Sequence, residues 1–349
     1  MRTIKNIALL LLVPIFYLNV LCYSQTFDNL NKEQKLRFKA IISKLHNWPQ
    51  KNAKIAAKDL IKTGNKYKKQ IIHTLKFGEP SIKKAMIYCS GKIKLKEAFP
   101  VLLKMIYDKK ASKFLLNIFE AMIHIDEERA FAEITDFLTK KYYGINPAFK
   151  ALSIIVNKEN VTKLAKLLNV SYYKIRRNTL KLIAQVNSPK IFPVLIHSLK
   201  DESPFVTKQA MLLMGKINSY KLRTDLLKQL DQSSGRFRAY LILTIVSQED
   251  NFGITLLRDS FVPELLKMFR NTDYFIKGAA AIALINVNTL INDKKISTLL
   301  DKYLVPTLIE VLSGRKYFRD YLSIREIAYN KLVQLTGKNF GMDMVHWWK

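Results

Sequence analysis

Val206-Thr-Lys-Gln-Ala210-Met-Leu-Leu-Met-Gly215-Lys-Ile217 decides the fold, because its pattern returns along the chain. An aliphatic residue opens it. Apolar or small residues follow at +4, +5, +7 and +8, usually a small residue at +9, and an aliphatic at +11. Ile82 begins the same pattern through Met86, Ile87, Cys89, Gly91 and Ile93, and Ile175 through Thr179, Leu180, Leu182, Ala184 and Val186. Ile276 and Ile324 begin it again, with Ile285 and Val333 larger than +9 prefers and Lys331 a departure. These offsets place apolar groups on one wide helical stripe.

A second block follows the first. Pro100-Val-Leu-Leu-Lys-Met-Ile106 matches Pro193-Val-Leu-Ile-His-Ser-Leu199, and Pro263 to Phe269 and Pro306 to Leu312 match both. Each reads as a helix opened by proline, whose missing N–H costs nothing in the first turn. The unit is therefore helix, short turn, helix. Two longer spacings imply insertions near 246–260 and 287–304. Weaker copies are anchored near Asn52, Phe114, Pro147 and Gly235, so most successive anchors from 52 to 324 lie 28 to 33 residues apart. Repetition at this period marks an internal repeat array.

The array resembles the bacterial HEAT-like repeat family, which includes phycobilisome-lyase-type repeats. The resemblance covers roughly residues 50–349 and is best carried by Val206 to Ile217, Ile175 to Asp201 and Ile82 to Asp108. The chain end, with Leu335-Thr-Gly337, Phe340-Gly341 and Trp347-Trp348, looks like a terminal motif of such proteins. The resemblance implies an all-α fold: an α-solenoid, a right-handed superhelix of about 8–9 helix pairs. The expected layout is a signal at 1–24, an N-terminal capping helix within 25–50 with Asp28 as N-cap, the repeats at 51–335, and an aromatic capping tail at 336–349.

Residues 1–24 supply the address. Arg2 and Lys5 precede the apolar run Ile7 to Leu18, and Cys22 and Ser24 suit the −3 and −1 positions of a cut after Ser24. A twelve-residue run spans about 18 Å as a helix, short of the ~30 Å hydrocarbon core. The segment reads as a cleaved secretory signal, ahead of an uncleaved anchor or a lipidated Cys22. The expectation is an exported protein of the periplasm or cell envelope, or one secreted outright. Cys89 would then be its one remaining thiol.

No catalytic, cofactor or metal constellation is legible. His46, His73, His124, His197 and His346 include no pair at helical ligand spacing, and no Gly-rich phosphate loop exists. Cys89 falls on a packing position, and Asp126-Glu127-Glu128 reads as a solvated turn at a helix start. Alkyl-base DNA glycosylases share the HEAT-like fold, but Trp48, Trp347 and Trp348 lie only at the two ends, and export removes the chain from chromosomal DNA. The expectations are no enzyme and no cofactor.

The chain holds 58 Lys and Arg against 28 Asp and Glu, a net +30. Half of that sits in residues 25–110, where 21 basic residues face 6 acids. Such a balance suits an acidic partner. That partner is expected to be a protein or an acidic envelope component; an anionic membrane surface is a further option, and nucleic acid is disfavoured. Lys66, Lys68, Lys69, Lys92, Lys94 and Lys96 are the candidate partner-binding residues. Lys83, Arg176, Arg236, Lys277 and Arg325 recur at or beside the anchors, and acids such as Asp201, Asp231 and Asp273 precede anchors. In HEAT-like repeats such pairs form a structural ladder. The leading reading is thus an exported, non-enzymatic scaffold for macromolecular interaction. A nucleic-acid-binding or glycosylase-like protein is one alternative, and a membrane-surface scaffold or lyase-like chaperone another.

Overall fold

The computed structural model describes residues 27, 29–186, 188–217, 219–246, 252–291, 293–313, 321–341 and 344–347. The fold is all-α, and no strand occurs among the described residues. The signal at 1–24, Asp28 and Trp348 lie outside them. No described helix is long and apolar enough to cross a membrane. The chain divides into two compact units, residues 1–155 and 156–349.

In the first unit, α1 (Lys32–Leu45) buries Phe38, Ile41 and Leu45 along one face. Its N-cap is Asn31, whose side chain accepts from Gln34 N at 2.8 Å while the Gln34 side chain accepts from Asn31 N. This reciprocal capping box satisfies two N–H groups that a helix start leaves open. It places the start three residues beyond the Asp28 inferred from sequence. Helix pairs follow: α2 (Lys51–Thr63) with α3 (Lys68–Phe77), α4 (Pro80–Ile93) with α5 (Phe99–Ile106), and α6 (Leu115–Ile125) with α7 (Glu127–Lys140). The unit ends with α8 (Ile145–Ile155). The first helices α2, α4, α6 and α8 pack in succession.

Gly91 explains the small residue at +9. A Cβ there would sit 2.8 Å from the Ala121 Cα on the next first helix. Real Cβ atoms do not approach backbone so closely, so the position must stay small for α4 and α6 to pack.

In the second unit, a 3-10 segment (Val161–Asn169) packs on α9 (Tyr173–Ala184), followed by the short α10 (Phe192–His197). The further pairs are α11 (Pro204–Gly215) with α12 (Tyr220–Asp231), α13 (Gly235–Val246) with α14 (Phe252–Phe269), and α15 (Tyr274–Ile291) with α16 (Lys294–Ser313). α17 (Tyr321–Thr336) and α18 (Met344–Trp347) complete the unit. The buried Trp347 ring meets Phe340 edge-on at 5.1 Å and donates its N–H to Gly341 O at 2.8 Å.

Pro100 and Pro193 stand in the first turns of α5 and α10. Pro263 and Pro306 do not open helices: they lie inside α14 and α16. An interior proline removes one N–H and crowds the carbonyl four residues back. In α16 the packing overrides this cost. Ile296, Leu300, Leu304 and Leu308 form a buried i, i+4 row running through the proline. Much of the two presumed insertions is thus helix, which lengthens α14, α15 and α16 to 18–20 residues.

The first helices α11, α13, α15 and α17 also pack in succession. In addition α17 touches α11, and the Lys208 ammonium pairs there with the Glu326 carboxylate. This contact departs from a simple stack, in which each repeat meets its neighbours alone.

Candidate basic interaction surface

The six candidate lysines occupy equivalent turns of two consecutive helix pairs. Lys66 lies in the 3-10 turn Gly64–Tyr67, and Lys68 and Lys69 begin α3. Lys92 lies in the last turn of α4, and Lys94 is its C-cap in the left-handed region at φ 56°. Lys96 opens the 3-10 turn Lys96–Ala98. Lys68 reaches Glu97 at 3.1 Å, tying one turn to the next. Lys66, Lys69, Lys94 and Lys96 are exposed and make no ion pair among the described residues.

Lys92 points toward the third pair. Its ammonium lies 3.3 Å from His124 Nε2 and 5.9 Å from the Tyr88 ring centroid. Desolvation pushes the His124 imidazole below its ordinary value, and the Lys92 and Lys94 charges push it further. In the next turn Asp126 caps α7, accepting from Arg129 N at 3.1 Å. Glu127 and Glu128 fill the first helical turn, where carboxylates oppose the positive end of the helix dipole. Along this edge of the unit two basic turns therefore adjoin an acidic one.

The anchor cations have several fates. Arg176 is 4% exposed and grips Asp201 with two bonds of 2.8 Å. It also donates to Val170 O at 2.8 Å and Ser171 O at 2.7 Å. The planar guanidinium suits this fork, and the bonds to Asp201 raise its pKa further. Arg236 reaches Asp273 at 2.9 Å. Lys277 instead pairs with Glu310 of its own repeat at 3.0 Å, and Lys83 donates to the Lys76 carbonyl at 2.9 Å. Arg325 makes no ion pair among the described residues, and its Nε is buried without a hydrogen-bond partner.

Sequence reasoning missed a groove in the first unit. It lies between α3 and α5, is bounded by the N-terminal turn of α4 and the 3-10 segment Lys109–Phe114, and encloses about 900 Å³. Lys76, Lys83, Lys104, Lys110 and Lys113 line it against two carboxylates, Glu97 and Asp108. Its apolar lining includes Phe77, Pro80, Val101, Met105 and Phe114. The Phe77 side chain is 58% exposed. Five elements contribute these residues, so no contiguous motif announces them.

Cys89 is fully buried, and burial pushes its thiol up to about 12. Among the described residues no group of three or more His, Cys, Asp or Glu side chains is placed to hold a metal ion.

Residues 161–245 match a family model described as HEAT repeats. That span includes α9 to α13 and contains Val206 to Ile217. No curated protein matches the chain. Among solved structures, the crystal structure of an engineered protein from the Northeast Structural Genomics Consortium is similar over 90% of this chain and 91% of its own. That similarity has 16% identity and a TM-score of 0.33. Residues 161–245 are thus similar to HEAT repeats, within a fold that is all-α among the described residues.

Proposed function

We propose that this repeat protein is an exported, non-enzymatic scaffold of the cell envelope that binds an acidic protein or envelope component through the basic edge of its first unit. One observation carries the reading: Lys66, Lys69, Lys94 and Lys96 are exposed in consecutive turns, with no internal ion pair among the described residues. Ladder residues such as Arg176 spend their charge inside the fold, whereas these four hold theirs in solvent. Charge presented this way raises the encounter rate with an acidic partner and weakens with salt. Export rests on the Arg2, Lys5 and Ile7 to Leu18 pattern with Cys22 and Ser24 at the cut.

The test uses labelled polyglutamate as an acidic probe, with binding followed by anisotropy at low and physiological salt. Changing Lys66, Lys69, Lys94 and Lys96 to Gln should weaken binding about 5- to 50-fold at low salt and flatten its salt dependence. That range follows from about 0.2–0.6 kcal/mol for each of the four exposed lysines. Equal affinity and an equal salt slope in the variant would refute the assignment of this edge.

A further inference from the structure

The groove between α3 and α5 has two properties that the basic edge lacks. It is recessed, and it joins an apolar floor to a cationic rim. We infer that it is the docking site for an acidic amphipathic helix of a partner protein. This deepens the scaffold reading and rests on it.

The rim is available for an external anion. Of its two carboxylates, Glu97 is paired with Lys68, and Asp108 accepts from Lys110 N at 2.9 Å. Lys76, Lys104, Lys110 and Lys113 make no ion pair among the described residues. Lys113 extends over the Phe114 ring, 5.1 Å from its centroid, and so links rim and floor. Carboxylates of an incoming segment would meet ammonium groups that no other acid neutralises.

The floor selects among acidic partners. A purely anionic polymer has nothing to place on Phe77, Val101 and Met105, and exposed apolar area of this kind is stabilised only by apolar contact. The groove walls are helical. Ile72, Leu75 and Lys76 of α3 stand at i, i+3 and i+4, and Val101, Lys104 and Met105 of α5 repeat that spacing. Such rows form the ridges between which a further helix packs. A helix with apolar residues at i, i+3 and i+4 and acids beside them complements both walls, as in helix-in-groove recognition generally.

The experiment selects binders to the full chain from a random-peptide display library. It then measures purified peptides against three folded variants: Lys104→Glu with Lys113→Glu, Phe77→Ala, and Lys66→Gln with Lys69→Gln. Circular dichroism checks the fold of each. Enriched peptides should combine acids with large apolar residues at helical spacing. They should lose at least tenfold in affinity to each groove variant and little to the Lys66 and Lys69 variant. The inference is overturned if no peptide is enriched, if the groove variants bind as well as the wild type, or if polyglutamate competes as effectively as the peptides. Binding lost only in the Lys66 and Lys69 variant would remove the groove and leave the basic edge standing.

Discussion

Replacing Arg176 by Ala should be among the most damaging single changes in the second unit. The guanidinium is 4% exposed and makes two 2.8 Å bonds to Asp201 and two bonds to the Val170 and Ser171 carbonyls. Its bond to Glu202, at 3.1 Å, reaches a side chain that is 81% exposed, and adds little. Removing one partner of a buried pair costs about 3–5 kcal/mol, because the remaining charge stays desolvated. Each orphaned carbonyl would add about 1–3 kcal/mol if kept dry, but water entering the vacated space reduces this. A net loss of about 4 kcal/mol follows. Arg176→Lys should lose about half as much, since one ammonium cannot span both carboxylate oxygens and both carbonyls. A repeat array need not unfold in one step, so native-state hydrogen exchange suits the measurement better than a single melting curve. Protection should fall across α9 and the start of α11, while α1 to α6 hold theirs. A cycle with Asp201→Asn should show a coupling of about 2 kcal/mol. A loss below about 1 kcal/mol for Arg176→Ala, or one shared equally by both units, would refute the bracing role.

Gly91→Ala should destabilise the first unit by about 1–3 kcal/mol in urea unfolding, because its methyl group would press on the Ala121 backbone. Lys92→Gln should raise the His124 pKa in an NMR titration by removing a facing positive charge. Because the folded value of His124 is depressed, the unfolded chain takes the proton first. Its contribution is intact above the ordinary imidazole range and is lost as pH falls through it, and Lys92→Gln should shrink that loss. The Cys89 thiol should resist thiol reagents in the native chain and react once the chain is unfolded. Rapid native labelling of Cys89 would contradict its burial.

The repeat phase was legible where packing restricts which side chains fit. Gly91 shows the cause, since the neighbouring helix leaves no room for a Cβ. The roles of Pro263 and Pro306 were not legible. A proline marks a first turn only when nothing packs the residues before it, and Ile296, Leu300 and Leu304 pack before Pro306. The lysines of the two basic turns could be read from local density, since each triplet is contiguous or nearly so. The α3–α5 groove could not, because Phe77, Lys104 and Phe114 acquire a common meaning only when three elements come together. Lys277 shows a similar limit: an acid precedes its anchor, yet its partner is Glu310 in the helix that follows.

The pairing of Lys208 with Glu326 spans 118 residues of sequence. A linear array can grow from any point, because each addition needs only the copy beside it. The contact between α11 and α17 cannot form that way. It must wait until every intervening helix is placed, and it carries the entropy of closing that long loop. Long-range contacts of this kind slow folding. They also make removal of one internal helix pair a different event in the two units. In the first it shortens a stack, whereas in the second it pulls apart two helices that the deletion never touched.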